Sequence, residues 1–408
     1  MNLAIHAATE PPCGSVAEVA RFFAWLSLVG FGGPAAHLAI MRRELVERRG
    51  WLTSQEFLDL LGATQLIPGP NSTEMAIHVG YRRAGLRGLL AGGLCFIVPA
   101  SLITLLLSWL YVRYGRMPKA QPMLLGIQAS VVAVVALAAW SLGRTALRSR
   151  GLWLLGAVAF VASLCGVPEL VIFFGGGLLY LLCASWLEPA MRRRLAAPSQ
   201  APSFFFSLGG LGLFDALPAA LPAAPPSALP SAAALVSLSS LAWFFLKVGS
   251  VIYGSGYVLV ALLLRGLVEE RGWLPRAMLL DAVAIGQVTP GPVFTTATCV
   301  GYLLRGSLGA LIATAAIFAP SFALVWGLDK LLVRLRHSTR LRVFLDGVNA
   351  CSLALLAATA LGLLASLAQR GAYLWLGFGL AALVLGIVAQ VNPSWLIVAG
   401  ALAGLLLG

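Results

Sequence analysis

The sequence predicts an all-α polytopic membrane protein made of two inverted repeats of about five transmembrane helices each, with helices interrupted at Pro-Gly-Pro. Three observations predict this fold: long charge-free apolar segments, a duplication of the chain, and a Pro-Gly-Pro triplet inside apolar sequence in each copy. The chain is 60% hydrophobic and 11% charged, with a mean hydropathy of +0.91. Because a soluble domain carries about 25% charged residues, a water-soluble fold is excluded.

Four segments without Asp, Glu, Lys or Arg each reach the roughly 20 residues with which a helix spans a bilayer. They are residues 88–112, 120–143, 306–328 and 347–369. Two further segments are interpreted as pairs of short helices: residues 151–187, which turn at Val167-Pro168, and residues 371–408, which are divided at Asn392-Pro393. Residues 1–14 hold no Lys or Arg and no compact apolar core, so we do not expect a cleaved signal peptide.

The same segment occurs twice in the chain. "LVERRGWLTSQEFLDLLGATQLIPGP" aligns with "LVEERGWLPRAMLLDAVAIGQVTPGP" at an offset of 222 residues, which pairs Trp51 with Trp273. The alignment holds through charged, aromatic and proline positions, so biased composition does not explain it. We expect a first repeat at residues 1–195, a Pro/Ala/Ser-rich cytoplasmic connector at 196–234, and a second repeat at 235–408.

The distribution of Arg and Lys predicts that the second copy is inverted. In the first copy nine basic residues fall on the side of the loop at residues 82–87 and three on the other, whereas the corresponding loops of the second copy hold two and five. Because basic residues collect in cytoplasmic loops, the two copies are expected to have opposite orientations. Five crossings in each copy satisfy this requirement and place the C-terminus outside the cell.

The two Pro-Gly-Pro triplets predict interrupted helices. A proline removes a helical hydrogen-bond donor and drives the preceding residue toward extended geometry. At membrane depth such irregular backbone survives only where protein or a water-filled cavity surrounds it, and inverted repeats with interrupted helices are typical of secondary transporters. The residues concerned are Pro68, Gly69 and Pro70 in the first copy and Pro290, Gly291 and Pro292 in the second, preceded by Gln65 and Gln287.

The residues after each break predict an anion as the ligand. Asn71, Ser72 and Thr73 follow the first break, and Thr295 and Thr296 follow the second. These are residue types found at helix starts, where free amides and a partial charge of about +0.5 attract anions. Two such helix starts and several hydroxyl donors suit a tetrahedral oxyanion, whose charge Lys247 would help to neutralise.

Several of these residues have a second interpretation. Each Pro-Gly-Pro triplet is also compatible with a simple kink or a surface turn, and Lys247 with a side chain that reaches the cytoplasmic interface. Glu74 is either a helix-dipole partner that faces away from the ligand or a proton-coupling group. His78, four residues further on, either pairs with Glu74 or is a buried packing residue.

Other functional classes find no support in the sequence. No Walker A motif is present, and the four His and six Cys residues show no metal-ligand or Cys-x-x-Cys spacing. No group of His, Cys or paired carboxylates lies at catalytic spacing within the spans, so we expect neither an enzyme nor a metal or other cofactor. We expect the lipid bilayer and a small anion, and no nucleic acid, as partners.

The segments "FGGPAAHLAIMRRELVERRGWL", "IPGPNSTEMAIHVGYRRAG", "YGSGYVLVALLL" and "QVTPGPVFTTATCVGYLLRGSLGA" resemble the chromate ion transporter family in its long, two-domain form. The resemblance covers about residues 20–110 and 240–330. By motif position it implies a role for the two Pro-Gly-Pro triplets and for the glycine-rich segments, namely Gly32, Gly33, Pro34, Gly254 and Gly256. Ser255, between the last two, is a further candidate for substrate binding. It also implies that shorter relatives supply the two halves as separate chains.

The resemblance implies efflux of chromate across the inner membrane of a bacterium, which confers chromate resistance. The expected driving force is the membrane potential, with or without proton exchange. An uptake carrier for sulfate or a related oxyanion is the alternative within transport, and a channel also stays open. An intramembrane enzyme or a non-transporting scaffold is the alternative outside transport; the absence of a catalytic cluster speaks against the first and the two polar breaks against the second.

Overall fold

The chain is described by a computed structural model that covers residues 14–31, 33–115, 120–186, 236–253, 258–335, 338–369, 373–389 and 391–407. The predicted connector at 196–234 lies outside these residues. The described residues form fourteen α-helices, which confirms the all-α class. Helices 71–114, 121–144, 293–327 and 339–365 are long and apolar enough to cross a membrane, as expected for a polytopic membrane protein.

The helices of the first copy are α1 (Val16–Val29), α2 (Pro34–Arg42), α3 (Ser54–Thr64), α4 (Asn71–Tyr114), α5 (Ala120–Ala146), α6 (Arg150–Leu164) and α7 (Gly176–Trp186). Those of the second copy are α8 (Leu238–Val251), α9 (Val258–Leu263), α10 (Arg276–Val288), α11 (Thr296–Leu335), α12 (Thr339–Gln369), α13 (Tyr373–Val388) and α14 (Pro393–Leu407). π-Helical turns extend α2 (Arg43–Arg48) and α9 (Leu264–Glu269) and precede α7 (Val171–Gly175), and a 3-10 turn (Val293–Thr295) precedes α11. The helices follow one another in the same order in both copies.

Helix α4 folds back on itself near its first third. Gly85 has φ 60°, a left-handed conformation that glycine adopts without strain, and it divides α4 into a short arm (residues 71–83) and a long arm (residues 86–114). The arms lie side by side, because a Cβ atom on Gly80 would collide with the carbonyl of Gly88. Helix α11 turns in the same way at Gly306, where φ is 64°.

The outer ends of the first four helical segments meet at one place. The Arg83 guanidinium, at the end of the short arm of α4, lies 3.6 Å from the Glu18 carboxylate near the start of α1 and 5.1 Å from the ring of Trp51, which follows α2. Next to it, Arg82 lies 4.0 Å from Glu56 in the first turn of α3. Helices α1 and α2, and α3 and the short arm of α4, therefore form two hairpins that enter the molecule from the same end.

The second copy contains hairpins of the same kind. Arg305, at the end of the short arm of α11, donates to the carbonyl of Val236 just before α8 (2.8 Å). The long arm of α4 starts beside the outer ends of the first hairpins and runs to Tyr111, whose hydroxyl donates to Asp281 on α10 (2.7 Å). Residues 86 and 111 are roughly 37 Å apart along a helix, so Asp281 of the second copy lies about the thickness of a membrane away from the outer ends of the first hairpins.

The last helices of each copy pack against the long helices of the other copy. Helices α6 and α7 lie along α12, and α13 and α14 lie along α5. A Cβ atom on Gly126 of α5 would collide with the carbonyl of Gly400 on α14, so these two backbones are in direct contact. The two copies are therefore interlocked, and both contribute residues to the main apolar core.

The first copy starts with a short helix that turns back, and not with a helix long enough to cross a membrane. Helix α1 has 14 residues, or about 21 Å, which is short of the roughly 30 Å of a bilayer core. The chain then turns back through Gly33, which precedes α2 at φ 78°. The number of crossings in each copy stays a prediction.

Candidate functional site

The two Pro-Gly-Pro triplets form the inner tips of two hairpins. We call residues 68–70 the first tip and residues 290–292 the second tip; all six residues are buried. Gly69 has φ 142° and Gly291 has φ 97°, values that side chains other than glycine rarely allow. Position 69 also has no space for a side chain. A Cβ atom there would collide with the carboxyl of Glu74 and lie 2.6 Å from the Ser321 hydroxyl oxygen.

Each tip is hydrogen-bonded to a break in the other copy. The N–H of Gly69 donates to the carbonyl of Ile252, which follows α8 (2.8 Å), and the N–H of Gly291 donates to the carbonyl of Gly30, which follows α1 (2.9 Å). Gly30 and Ile252 are matching positions at the offset of 222 residues. The four helix breaks of the two copies therefore meet in the centre of the molecule through a reciprocal pair of bonds.

Helices begin directly after both tips, as the sequence predicts. The amides of Thr73 and Glu74 return to the carbonyl of Pro70 (2.7 and 3.1 Å), and the amide of Thr295 returns to the carbonyl of Pro292 (3.0 Å). The side chains after the tips do not cap these helices.

The hydroxyls of the predicted site residues have different roles in the two copies. Those of Thr295 and Thr296 are buried and donate to the carbonyls of Pro292 and Val293 (both 2.9 Å). In the first copy the Thr73 hydroxyl is buried without a hydrogen-bonding partner.

His37 connects the two tips. Its Nε2 lies 2.9 Å from the Gly30 carbonyl, the same oxygen that accepts the N–H of Gly291, and its Nδ1 lies 3.3 Å from the Ser72 hydroxyl. Because a carbonyl only accepts, Nε2 carries the hydrogen, and in the neutral ring Nδ1 then accepts from Ser72. The ring is fully buried and packs edge-on against Phe96 at 5.2 Å. A continuous chain of hydrogen bonds thus joins the helix start after the first tip to the second tip.

Glu74 lies beside the first tip as a buried carboxyl group. Its side chain is fully buried, and neither oxygen has a well-formed hydrogen bond. The carboxyl and the Ser321 hydroxyl of the second copy both lie against the Cα of Gly69, and Tyr253, which follows α8, is close enough for the charge of Glu74 to act on it. His78 is also buried, one turn further along the same helix.

Two unpartnered hydrogen-bond donors belong to residues near the second tip. The Gln287 side-chain amide and the Ser27 hydroxyl are both buried, and neither the amide nitrogen nor the hydroxyl has a hydrogen-bonding partner. The Ser27 hydroxyl lies 3.3 Å from the point that a Cβ atom on Gly291 would occupy. The turn between α13 and α14 also reaches this tip, where Ser394 donates to the backbone carbonyl of Gln287 (2.9 Å).

Two of the predicted site residues lie apart from the tips. Gln65, the counterpart of Gln287, is exposed at the end of α3. Lys247 is exposed on the face of α8 that it shares with Trp243, and its charge acts on Glu169 in the turn between α6 and α7. Gly33 is buried where the first hairpin turns. Gly32, Gly254 and Ser255 lie outside the described residues.

Sequence reasoning missed four residues at the centre: Ser27, His37, Tyr253 and Ser321. Two of them had a sequence signal. His37 lies in the motif "FGGPAAHLAI", three residues after Pro34, and Ser321 follows Pro320, which matches Pro99 of the first copy. Ser27 lies in ordinary apolar sequence, and only its contact with a tip from the other copy distinguishes it.

Comparison with known proteins identifies the family. The model of the family described as "Chromate transporter" matches residues 17–181 and again residues 239–405. A chromate transport protein of Pseudomonas aeruginosa is 32% identical over 98% of this chain and 95% of its own length. Chromate transport proteins of Synechococcus elongatus, named as probable, and Cupriavidus metallidurans are 32% and 30% identical over 77% and 84% of this chain and 75% and 81% of their own lengths. No solved structure matches. With both halves matched by the family model, this multi-pass membrane protein is a member of the chromate transporter family.

Proposed function

We propose that the protein is a secondary transporter that exports chromate from the cytoplasm across the inner membrane of a bacterium and so confers chromate resistance. The observation that carries this proposal is the reciprocal hydrogen bonding of the two tips to the breaks of the other copy. It brings two buried helix starts together at the centre of an apolar helical protein. Full-length relatives named as chromate transport proteins support chromate as the cargo.

The centre suits an anion for electrostatic reasons. Each helix start carries a partial positive charge of about 0.5 and amides that point out of the helix. The unpartnered donors of Ser27 and Gln287 add a hydroxyl and an amide at the second tip. Chromate is a tetrahedral dianion with four acceptor oxygens, which match these donors.

The two copies are proposed to have inverted orientations in the membrane. Their hairpins enter from opposite ends of the long arm of α4, and the excess of basic residues changes sides between the copies. With the basic side inside, the hairpins of the first copy open toward the cytoplasm and those of the second toward the outside. Alternating access then consists of opening one pair of hairpins at a time around the shared centre.

Membrane potential favours export. Moving one charge across 100 mV is worth about 2.3 kcal/mol, so a dianion that leaves a negative-inside cell gains roughly 4.6 kcal/mol. That free energy supports a concentration ratio of about 10³. Uptake would face the same energy as a barrier and would need at least two coupled protons per anion.

The test is chromate transport in membrane vesicles of both orientations. We expect potential-driven accumulation in inverted vesicles that contain the protein, with none in right-side-out vesicles and none in vesicles without the protein. Sulfate in excess serves as the competitor. Accumulation in right-side-out vesicles, or transport of sulfate in preference to chromate, would indicate an oxyanion uptake carrier and would overturn the proposal.

A further inference from the structure

We propose that the two tips bind different ligands: the second tip binds the oxyanion, the first tip binds a proton on Glu74, and His37 couples the two. This inference rests on the proposed function of oxyanion transport. It adds Ser27 and His37 to the residues with a role in transport. It also assigns the anion to one of the two matching tips and the proton to the other.

The first tip is built for a neutral carboxyl. Glu74 is fully buried, and no Lys or Arg within the described part of the chain forms an ion pair with it. The titratable groups around it are Tyr253 from the second copy, His37 on the far side of Ser72, and His78 on its own helix. The Ser321 hydroxyl faces it from α11. An ionised carboxylate without partners is strongly disfavoured when it is buried away from water. The arrangement in the structure therefore requires Glu74 to hold a proton.

The second tip has donors where the first has the carboxyl. The positions that correspond to Glu74 are Thr295 or Thr296, depending on where the one-residue gap is placed, and their hydroxyls already donate to the backbone. A bound anion at this tip therefore meets no carboxylate at the position that matches Glu74. It would accept from the unpartnered Ser27 hydroxyl and Gln287 amide, both of which are buried and available.

A single hydrogen-bonded chain gives the two tips a means of coupling. The Gly30 carbonyl accepts from Gly291 at the second tip and from His37, and His37 accepts from Ser72, two residues before Glu74. An anion that draws the Gly291 amide away from Gly30 leaves His37 as the remaining donor to that carbonyl. The ring then shifts relative to Ser72 and loosens the first turn of the short arm of α4. Water that enters there ionises Glu74, so anion binding releases its proton to the aqueous phase.

The expected consequence is exchange of protons for anions, with one proton per anion. One carboxyl group lies beside the tips among the described residues, which sets this ratio. The protein binds either the proton or the anion at one time, so each anion that leaves is exchanged for a proton that enters. A proton gradient directed inward therefore assists export of the anion, and so does the membrane potential.

The experiment uses the purified full-length protein and chromate, at a pH where chromate is wholly the dianion. Calorimetric titration in two buffers of different ionisation enthalpy gives both the affinity and the number of protons released per anion. For the wild-type protein we expect release of about one proton per chromate. Glu74→Gln should abolish proton release and remove the rise of chromate affinity with pH that proton release imposes on the wild type. Ser27→Ala and Gln287→Ala should weaken binding about tenfold and keep both the proton count and the pH dependence. Glu47→Gln, an exposed carboxylate on the extension of α2, is the control and should match the wild type.

Each outcome decides the inference. Proton release that persists in Glu74→Gln overturns the proton site, and a chromate affinity that still rises with pH in Glu74→Gln overturns the coupling of the two tips. If Glu74→Gln does not fold, the infrared difference spectrum of the wild-type protein replaces it: chromate should remove the band of a protonated carboxyl group, and an unchanged band overturns the inference. A wild-type protein that binds no chromate would instead contradict the proposed function.

Discussion

The N–H of Gly291 lies 2.9 Å from the carbonyl oxygen of Gly30 and donates to it, so the second tip is bound to the first hairpin of the other copy. The matching bond from Gly69 to Ile252 measures 2.8 Å. Backbone groups left free by a break in a helix must find partners when they lie away from water. Here the free N–H groups at the tips of each copy donate to free carbonyls at the helix breaks of the other copy. Neither copy therefore completes the centre alone.

Substitution of the tip glycines is expected to slow transport strongly. Gly69→Ala and Gly291→Ala force a side chain onto a positive φ, which costs about 1–3 kcal/mol, and place a Cβ atom against Glu74 or Ala100. We expect initial rates of chromate transport to fall at least about tenfold. Gly62→Ala on α3 is the matched control, because its Cβ atom would meet no atom within 4 Å. Rates like those of the control would mean that the conformation of the tips is not needed.

Removal of the second proline of each tip is expected to reduce transport and leave the protein in the membrane. Alanine at position 70 or 292 restores a helical donor and frees the preceding glycine to become helical, which weakens the break. We expect Pro70→Ala and Pro292→Ala to lower the transport rate about tenfold with near-normal membrane levels on immunoblots. Pro275→Ala, exposed just before α10, is the control. Loss of the protein from the membrane would show instead that the tips serve folding alone.

Loss of the His37 ring is expected to separate the two tips. His37→Ala leaves the Ser72 hydroxyl buried without its partner, at about 1–3 kcal/mol, and the thermal midpoint in detergent should fall. His37→Gln can still donate to Gly30 from its amide and should recover part of the stability. We expect chromate binding to persist in His37→Ala with fewer protons released per anion. An unchanged proton count would exclude His37 from the coupling.

The class of the protein and the position of its centre were predictable from the sequence because both depend on local signals. Charge-free segments indicate a membrane protein, and proline acts on its own backbone, so the breaks at Gly69 and Gly291 could be located. The helix starts after Pro70 and Pro292 follow from the same local rule.

Contacts across the centre were not predictable. His37 is important because Gly30, Ser72 and the second tip come together around it, and no residue spacing encodes that meeting. Thr295 and Thr296 have the right chemistry for an anion, yet in a helix their hydroxyls reach a carbonyl of the preceding turn first. Lys247 stands out as a lone charge in apolar sequence, but the rotation of α8 turns it toward the surface.

The hydrogen bonds to Asp281 are expected to hold the second pair of hairpins to the long helices. Asp281 is buried and accepts from Tyr111 (2.7 Å) and from the Gln128 amide (2.9 Å). Tyr111→Phe removes one donor from a buried carboxyl group, which should cost about 1–3 kcal/mol and lower the thermal midpoint by several degrees. Tyr114→Phe, exposed on the same helix, is the control. Equal midpoints for the two variants would show that the bond to Asp281 contributes nothing to stability.

The proposed inverted orientation of the copies predicts labelling of matched positions from opposite sides of the membrane. Arg48 and Glu270 correspond at the offset of 222 residues, and both are exposed at the outer ends of their hairpins. In a variant without the six native cysteines, Arg48→Cys should react with an impermeant thiol reagent from the cytoplasmic side and Glu270→Cys from the outside. The physical reason is that the long arm of α4 separates the two positions by about the thickness of a membrane. Labelling of both cysteines from one side would require parallel copies, and alternating access by one pair of hairpins at a time would then be impossible.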